Sequence, residues 1–164
     1  MIGIVMGSDS DLPVMQGCVE QLRKFGLDSE ITVASAHRSP TRAANYASSA
    51  RERGIKVIIA AAGMAAHLAG VLAAHTTLPV IGVPIDSSSL NGLDALLSTV
   101  QMPPGVPVAT MGIGKAGAKN AAILAVQIMA VTDENLALRL VEFKAEMAAQ
   151  VEDKARKLSE GRVP

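Results

Sequence analysis

Short apolar runs alternate with longer helical patterns along the whole chain, from its second residue onward. Five runs predict β-strands, at Ile2–Met6, Ile31–Ala34, Val57–Ala61, Pro79–Val83 and Val108–Met111. Six segments predict helices, at Asp11–Phe25, Pro40–Arg53, Ala65–Ala74, Gly92–Val100, Ala116–Val131 and Asp133–Leu158. Apolar strands that alternate with helices are typical of a parallel sheet covered on both faces. The sequence therefore predicts an α/β fold, a three-layer sandwich with a five-stranded parallel sheet.

Residues 57–85 contain no Asp, Glu, Lys or Arg, so this stretch has to be distinguished from a membrane span. Glycine, histidine and proline residues divide it into short pieces, whereas a span needs about 20 consecutive apolar residues. A buried strand, helix and strand fit it better. No basic residue precedes Arg23, which also argues against a secretory signal. We therefore expect no membrane association and a cytoplasmic location.

The composition limits the partners and predicts self-association. The chain has 164 residues, with 15 basic and 15 acidic side chains, so its formal net charge is zero. This balance argues against general binding of nucleic acid or of an anionic membrane. Only 18% of the residues are charged, which suggests that surface is hidden between the subunits of a homo-oligomer. The single cysteine, Cys18, fits a buried apolar position in a helix and excludes an intrachain disulfide.

The length predicts one domain, with a sandwich core at residues 1–131 and a C-terminal helical extension at residues 132–164. The last helix follows the fifth strand, and no sixth strand remains for it to lead into. Its apolar stripe consists of Leu136, Leu140, Phe143, Met147, Val151 and Leu158. Such a stripe suits packing on its own domain or on a neighbouring subunit, and we favour the neighbouring subunit.

A proton-transfer group and a fixed cation stand side by side in the run Ser35-Ala36-His37-Arg38-Ser39, where a strand ends and a helix begins. Histidine exchanges a proton near neutral pH, and the adjacent arginine stays charged and binds phosphate or carboxylate. Ser39 suits an N-cap and Pro40 the first helical position, so the first-turn amides offer positive charge to an anion. Open α/β sheets hold their sites at this end of the strands. The alternative is a surface histidine that caps a turn.

The first strand ends in Gly7-Ser8-Asp9-Ser10-Asp11, a second candidate binding loop. Serine hydroxyls and helix amides bind phosphate, and Asp11 is suited to accept hydrogen bonds from sugar hydroxyls. The same residues also fit an ordinary capped helix start. Magnesium binding by Asp9 and Asp11 is less favoured, because no further acidic residue follows the second, third or fifth predicted strand.

Two glycine-rich segments are less specific. Residues 62–70 form a small-residue loop that opens a helix, and this composition suits either close approach of a planar ligand or tight packing between subunits. His67 within it faces the site or is a buried structural histidine, whereas His75 fits a helix C-terminus. Residues 112–117 match the dinucleotide glycine pattern but follow the fifth strand instead of the first, so we expect a turn and a helix start, with Lys115 near the mouth of the site.

Taken together, the motifs resemble the class I 5-(carboxyamino)imidazole ribonucleotide mutases of purine biosynthesis, the PurE family. The matching segments span nearly the whole chain, at residues 5–8 with 10–11, 35–38, 65–68, 79–84, 100–103 and 113–118. The resemblance implies a flavodoxin-like sandwich, assembled as an octamer, with a small-molecule nucleotide as substrate and no metal, ATP or organic cofactor. The implied enzyme is an isomerase that moves a carboxyl group from the exocyclic nitrogen to a ring carbon of aminoimidazole ribonucleotide.

Carried over by position, the resemblance implies that His37 is the general acid and base and that Ser8, Asp11 and Arg38 bind the ribose and phosphate. The other implied substrate-binding residues are Ser10, Ser35, Ala36, Gly63, Ala65, Ala66 and His67. The chain departs from the family's usual residues at Ala61 and Met64, where glycines are common, and at Ala69, where proline is frequent. These departures lie in the loop that would close over the imidazole.

Two other functions compete with this interpretation. The related class that carboxylates aminoimidazole ribonucleotide directly with CO₂ typically has Lys and Gly after the histidine, whereas this chain has Arg38 and Ser39. A non-enzymatic receiver or flavin-binding module is also compatible with the architecture. A receiver lacks its acceptor aspartate at the end of the third strand, and a flavin carrier lacks aromatic walls, since aromatic residues make up 2% of the chain. We therefore predict the mutase.

Overall fold

The fold is described for residues 1–161, from a computed structural model. Five strands form one fully parallel sheet in the order β2-β1-β3-β4-β5. The strands are β1 Ile2–Met6, β2 Ser29–Val33, β3 Val57–Gly63, β4 Val80–Ile85 and β5 Ala109–Thr110. The helices are α1 Leu12–Lys24, α2 Pro40–Ser49, α3 Leu68–Ala74, α4 Leu93–Val100, α5 Gly114–Ala130 and α6 Glu134–Ser159. The predicted α/β class and flavodoxin-like strand order are confirmed.

Continuous burial of the central strands explains why they are apolar at every position. All residues of β1 and β4 are buried, as expected for strands covered on both faces. On one face, Val5 shares a core cluster with alanines of α2 and with Leu68 and Leu72 of α3. The alternate residues of β1, Ile2 and Ile4, point to the other face and are fully buried. Two helix layers therefore enclose the sheet.

Several predicted boundaries were wrong, and local contacts explain the start of α3. The helix α3 begins at Leu68 instead of Ala65, because β3 continues to Gly63 and a tight turn follows, in which the His67 amide donates to Ala65 O at 2.8 Å. The helix α2 ends at Ser49 instead of Arg53, and irregular turns lead to Ile55. Strand β2 begins two residues earlier than predicted, and β5 is shorter, with Met111 N adding one more bond to Gly82 O.

Within residues 1–161 the chain forms two compact units, one ending at Ile128 and the other beginning at Met129. The predicted division at residues 131 and 132 stays a prediction, and residues 162–164 of the predicted extension lie outside the described residues. The uncharged stretch at residues 57–85 forms β3, α3 and β4, as predicted. None of the helices described combines the length and apolar character that a bilayer crossing requires.

The strand register places the binding loops together. Met6, the last residue of β1, pairs with Val33 of β2 and with Ala61 of β3. Strand β2 lies on one side of β1 and β3 lies on the other side. The loops that follow β1 and β3 therefore turn in opposite directions at the carboxyl end of β1. Open parallel sheets bind ligands in the crevice that such a reversal creates. The fold therefore directs attention to the carboxyl ends of β1, β2 and β3.

Candidate active site

A cavity of about 560 Å³ lies at the carboxyl ends of the central strands. The loops after β1, β2, β3 and β4 all contribute to its wall. Its lining consists of Gly7, Ser8, Ser10, Asp11, Ser35, Ala36, His37, Arg38, Ala62, Gly63, Met64, Ala65, His67, Leu68 and Ser87. All predicted site residues except Ala66 therefore share one cavity. Ala66 is 2% exposed and packs inward.

The loop after β1 is held by reciprocal capping. Ser8 precedes a short 3₁₀ turn at Asp9–Asp11, and its Oγ accepts a hydrogen bond from Ser10 N at 3.3 Å. The Asp11 side chain in turn accepts one from Ser8 N at 3.1 Å. The amides of Ser8 and Ser10 are thus already engaged, which differs from the expectation that free helix amides face a phosphate. The Ser8 and Ser10 hydroxyls line the cavity but also bond within the loop, since Ser10 Oγ donates to Ser8 Oγ at 2.9 Å and Ser8 Oγ donates to Asp9 Oδ1 at 3.1 Å.

Asp11 is a buried carboxylate in the cavity wall, with 5% of its surface exposed. Burial raises the pKa of Asp11 above its ordinary value, while hydrogen bonds from the Ser8 and Gly7 backbone and the nearby Arg38 charge oppose that rise. The carboxylate has further lone pairs that can accept hydrogen bonds. Because the group is partly desolvated, a hydrogen bond from a ligand hydroxyl is stronger there than in water.

The loop after β2 is closed by serines. Ser39 Oγ accepts from Ser35 N at 3.0 Å and donates to Ser35 O at 3.1 Å. Ser39 occupies the predicted N-cap position of α2, but its side chain does not cap that helix because it holds this loop instead. Arg38 Nη2 donates to Gly7 O at 3.2 Å, which links the loops after β1 and β2. The guanidinium has five N–H donors, so others stay free for an anion in the cavity.

Two histidine rings from different loops meet inside the cavity. His37 Nε2 and His67 Nδ1 are 2.7 Å apart, and the rings are T-shaped with centroids 4.8 Å apart. One nitrogen of this pair donates and the other accepts, so the tautomer of one ring fixes that of the other. Both residues are exposed to the cavity opening, which leaves His37 Nδ1 and His67 Nε2 available for proton exchange. The pair supplies acid-base capacity at a defined place.

The loop after β3 approaches the cavity through its backbone. A Cβ on Gly63 would collide with the Ser87 hydroxyl, so only glycine fits there without a shift of Ser87. The next residue, Met64, has a φ of 56°, in the left-handed region. Ser87 follows β4 and was missed by the sequence analysis. The signal that would have found it is its place directly beyond a strand end, next to Asp86.

Other candidate residues lie outside the described cavity wall. Neither His75, at the C-cap of α3, nor Lys115, in the first turn of α5, lines it. Among residues 1–161 there is no group of three or more His, Cys, Asp or Glu side chains placed to hold a metal ion. Cys18 is fully buried in α1, and burial raises the pKa of its thiol to about 12, which leaves it inert as a nucleophile. The predicted apolar role of Cys18 is confirmed.

Comparison with known proteins gives consistent results. Residues 1–150 match the protein family described as AIR carboxylase. The chain is 55% identical over 160 residues to the N5-carboxyaminoimidazole ribonucleotide mutase of Pyrococcus horikoshii, covering 98% of this chain and 89% of that protein. It is 51% identical over 158 residues to the phosphoribosylaminoimidazole carboxylase of Saccharomyces cerevisiae, covering 96% of this chain but 27% of the yeast protein. The crystal structure of Treponema denticola PurE superposes with a TM-score of 0.85 at 27% identity, covering 96% and 97% of the two chains.

Proposed function

The chain belongs to the AIR carboxylase family, and from this membership we propose that it is an N5-carboxyaminoimidazole ribonucleotide mutase of purine biosynthesis. It is an isomerase that moves the carboxyl group from the exocyclic nitrogen to the imidazole ring carbon and yields 4-carboxy-5-aminoimidazole ribonucleotide. The observation that carries the proposal is one cavity in which the His37–His67 pair lies together with Arg38 and Asp11.

The nucleotide end of the substrate fits the polar side of the cavity. Arg38 supplies a permanent positive charge for the phosphate, and the Ser35 hydroxyl supplies a neutral donor. The Ser8 and Ser10 hydroxyls donate to the phosphate by exchanging the bonds that they make to Asp9 and Ser8. Asp11 accepts hydrogen bonds from ribose hydroxyls. Because Arg38 Nη2 also bonds to Gly7 O, binding of the phosphate orders the loops after β1 and β2 together. This anchoring fixes the imidazole ring beside the histidine pair.

His37 is the proposed general acid and base. It donates a proton to the exocyclic nitrogen, and the bond between that nitrogen and the carboxyl carbon breaks. The exocyclic amine stays on the imidazole ring, and CO₂ is released within the cavity. The ring carbon then forms a C–C bond to CO₂, and His37 takes the proton from that carbon as the ring regains aromaticity. His37 gives one proton to the substrate in the first step and takes one back in the second, so the complete reaction consumes no net proton. We propose that it needs no metal, ATP or organic cofactor.

His67 is proposed to set the tautomer of His37. If His37 Nε2 carries a proton in the hydrogen bond to His67 Nδ1, His37 Nδ1 is the atom that exchanges a proton with substrate when the ring is neutral. A second ring in contact with the first also shares the positive charge of the protonated state. Gly63 and Ala65 lie beside the pair with small side chains that admit the planar imidazole.

Direct carboxylation of aminoimidazole ribonucleotide is the second candidate, because the yeast relative has the name of a carboxylase. The two reactions differ in whether the carboxyl group arrives on the substrate or as dissolved CO₂. We expect turnover of the carboxyamino substrate without added bicarbonate. Bicarbonate-dependent turnover of the uncarboxylated nucleotide alone would favour the carboxylase instead.

The proposal is tested by His37→Asn. Asparagine keeps a polar side chain but has no titrating nitrogen, so turnover is expected to fall about 10²- to 10⁴-fold. Binding of the product nucleotide, measured by calorimetry, is expected to change by less than about threefold because Arg38 and Asp11 are intact. Near-normal turnover would remove His37 from the mechanism, and lost binding together with lost turnover would point to a structural role.

We further propose a homo-oligomer, an octamer, located in the cytoplasm. The low proportion of charged residues and the exposed apolar side chains support subunit association. A single cysteine that is fully buried suits a reducing compartment. The balanced charge supports a small-molecule partner and no nucleic acid or membrane partner.

A further inference from the structure

Met64 is the one cavity residue whose backbone conformation is costly for its residue type. Its φ of 56° lies in the left-handed region, where a Cβ approaches the following carbonyl oxygen. The other non-glycine residue with positive φ among residues 1–161 is Asn91, with φ of 50°. Asparagine tolerates this conformation because its short amide bonds to the nearby backbone, whereas methionine has no such compensation. The strain at Met64 therefore needs an explanation of its own.

The neighbours of Met64 show why the backbone turns there. On one side, Gly63 is confined because the Ser87 hydroxyl occupies the space of a Cβ. On the other side, Ala66 is buried and the His67 amide donates to Ala65 O. The turn at residue 64 thus brings His67 to the 2.7 Å contact with His37. This constraint fixes the backbone but does not account for a large side chain.

The side chain of Met64 does not offset the strain by packing within the described chain. The residue is 61% exposed, the highest value given for any large apolar residue that lines the cavity. The residues that flank Met64 in the cavity wall, Ala62, Gly63 and Ala65, have no side chain larger than a methyl group. An unbranched thioether chain at this position is flexible and polarisable, and it adapts its shape to a planar ring.

We propose that Met64 is a substrate-covering residue, whose side chain folds over the imidazole and the migrating carboxyl group when the nucleotide binds. The inference rests on the proposed mutase function. Burial of the thioether against the ring offsets the backbone strain in the bound state. The cover excludes water and slows the escape of CO₂, an apolar molecule, between C–N cleavage and C–C bond formation. Met64 takes no part in proton transfer, and its role is limited to retaining CO₂ in the cavity.

The test measures retention directly. The full-length protein converts unlabelled carboxyamino substrate in medium that contains ¹³C-bicarbonate, and mass spectrometry gives the ¹³C content of the product carboxyl group per turnover. Met64→Ala and Met64→Gly are expected to increase ¹³C incorporation roughly threefold to tenfold, because both remove the cover. Met64→Leu is expected to stay within about twofold of the unsubstituted protein, because an apolar side chain remains.

The two small variants separate the side chain from the backbone. Met64→Gly removes the cover and the strain, whereas Met64→Ala removes only the cover, so the glycine variant is expected to have the higher thermal midpoint. Asn91→Gly is the matched control, because it relieves a positive φ outside the cavity and is expected to leave ¹³C incorporation unchanged. Circular dichroism of each variant establishes that it is folded.

Equal ¹³C incorporation in Met64→Ala and the unsubstituted protein would overturn the inference. If Met64→Ala then also had a smaller sedimentation coefficient, the side chain would be assigned to a contact with a second copy. The proposed function is judged separately, because its failure would appear as absence of product from the carboxyamino substrate in the unsubstituted protein.

Discussion

Asp11 serves two demands that oppose each other. As a capping group it accepts a hydrogen bond from the Ser8 amide, and as the proposed ribose-binding group it keeps a carboxylate in a buried place. Burial raises its pKa, so ionisation of Asp11 at neutral pH reduces the stability of the folded protein. The fold tolerates this cost because Arg38 and two backbone donors offset part of it. Binding residues often carry such a cost.

We predict that Asp11→Asn stabilises the protein at pH 7 and weakens catalysis. The amide oxygen still accepts from Ser8 N, but no buried charge remains. Because the folded pKa of Asp11 is raised, the gain in unfolding free energy is expected to be full above that raised pKa. It is expected to decline as the pH falls through it toward the ordinary aspartate pKa of about 3.9, so that little of the gain is left at pH 3.5. Urea titrations at pH 7 and pH 3.5 measure it.

The same variant is expected to lower kcat/KM about 10- to 100-fold, because a hydrogen bond to a charged acceptor is replaced by a neutral one. A gain in unfolding free energy that persists at pH 3.5 would contradict the pKa argument. Unchanged kcat/KM would contradict the proposed contact with the ribose.

The histidine pair gives a second prediction at this scale. Replacing His67 with phenylalanine keeps an aromatic ring but removes Nδ1, which leaves His37 Nε2 without its 2.7 Å partner. We expect kcat to fall about 10- to 100-fold, because the tautomer and orientation of the His37 ring are no longer fixed. The matched control is His75→Phe at the C-cap of α3, outside the cavity. An equal loss in both variants would indicate a general structural effect.

The sequence predicted the position of the cavity at the strand ends better than it predicted which residues line it. His37, Arg38 and Ser8 follow strand ends, and parallel strands bring such residues to one edge, so their meeting was foreseeable. The inward direction of Ala66 depends on where α3 begins, which the uniform small-residue run did not reveal. The contact between the two histidines joins loops 30 residues apart, and no local pattern encodes it.

At the scale of elements, the turns after the strands matter more than the regular segments. The strands β1, β3 and β4 were predictable because each is a continuous buried run. The edge strands were less well defined, since β2 alternates half-buried and exposed residues and β5 has only two residues. An edge strand pairs with one strand instead of two and is less buried, so its sequence shows a weaker apolar pattern.

The glycines before and within α5 have a packing role in place of the dinucleotide role that their spacing suggests. A Cβ on Gly117 would collide with Gly112 O, so the loop packs directly on the first turns of the helix. We predict that Gly117→Ala lowers the unfolding free energy by about 1–3 kcal/mol, because the backbone has to move. Gly112→Ala is the control, since nothing lies within 4 Å of a Cβ there.

Chemical denaturation of the two α5 variants distinguishes them. The Gly112 variant is expected to change stability by less than about 0.5 kcal/mol. If both alanine variants unfold at the same denaturant concentration as the unsubstituted protein, close loop packing is not the reason for the glycine at position 117.

At the scale of the whole molecule, the final helix exposes several large apolar side chains. The helix α6 has an exposed face along which Leu138, Val141, Ala145, Ala148 and Ala155 recur at helical spacing. Leu138 and Val141 are 63% and 66% exposed. A second, predicted stripe on this helix contains Leu136, which is buried, and Met147, which is exposed. Contiguous exposed apolar surface of this kind marks association sites.

We predict that the protein sediments as an oligomer at micromolar concentration and that Val141→Glu weakens the assembly. Because Val141 is already exposed within the described chain, a charge there leaves the subunit folded but places an unpaired carboxylate in a subunit contact. The dissociation constant is expected to rise about tenfold or more. Asn135→Asp is the matched control, since it adds the same charge at an exposed position that belongs to neither apolar stripe of the helix. Sedimentation velocity of both variants measures the shift, and circular dichroism establishes that α6 is intact. A monomeric unsubstituted protein, or identical profiles for the two variants, would mean that this face of α6 is not a subunit contact.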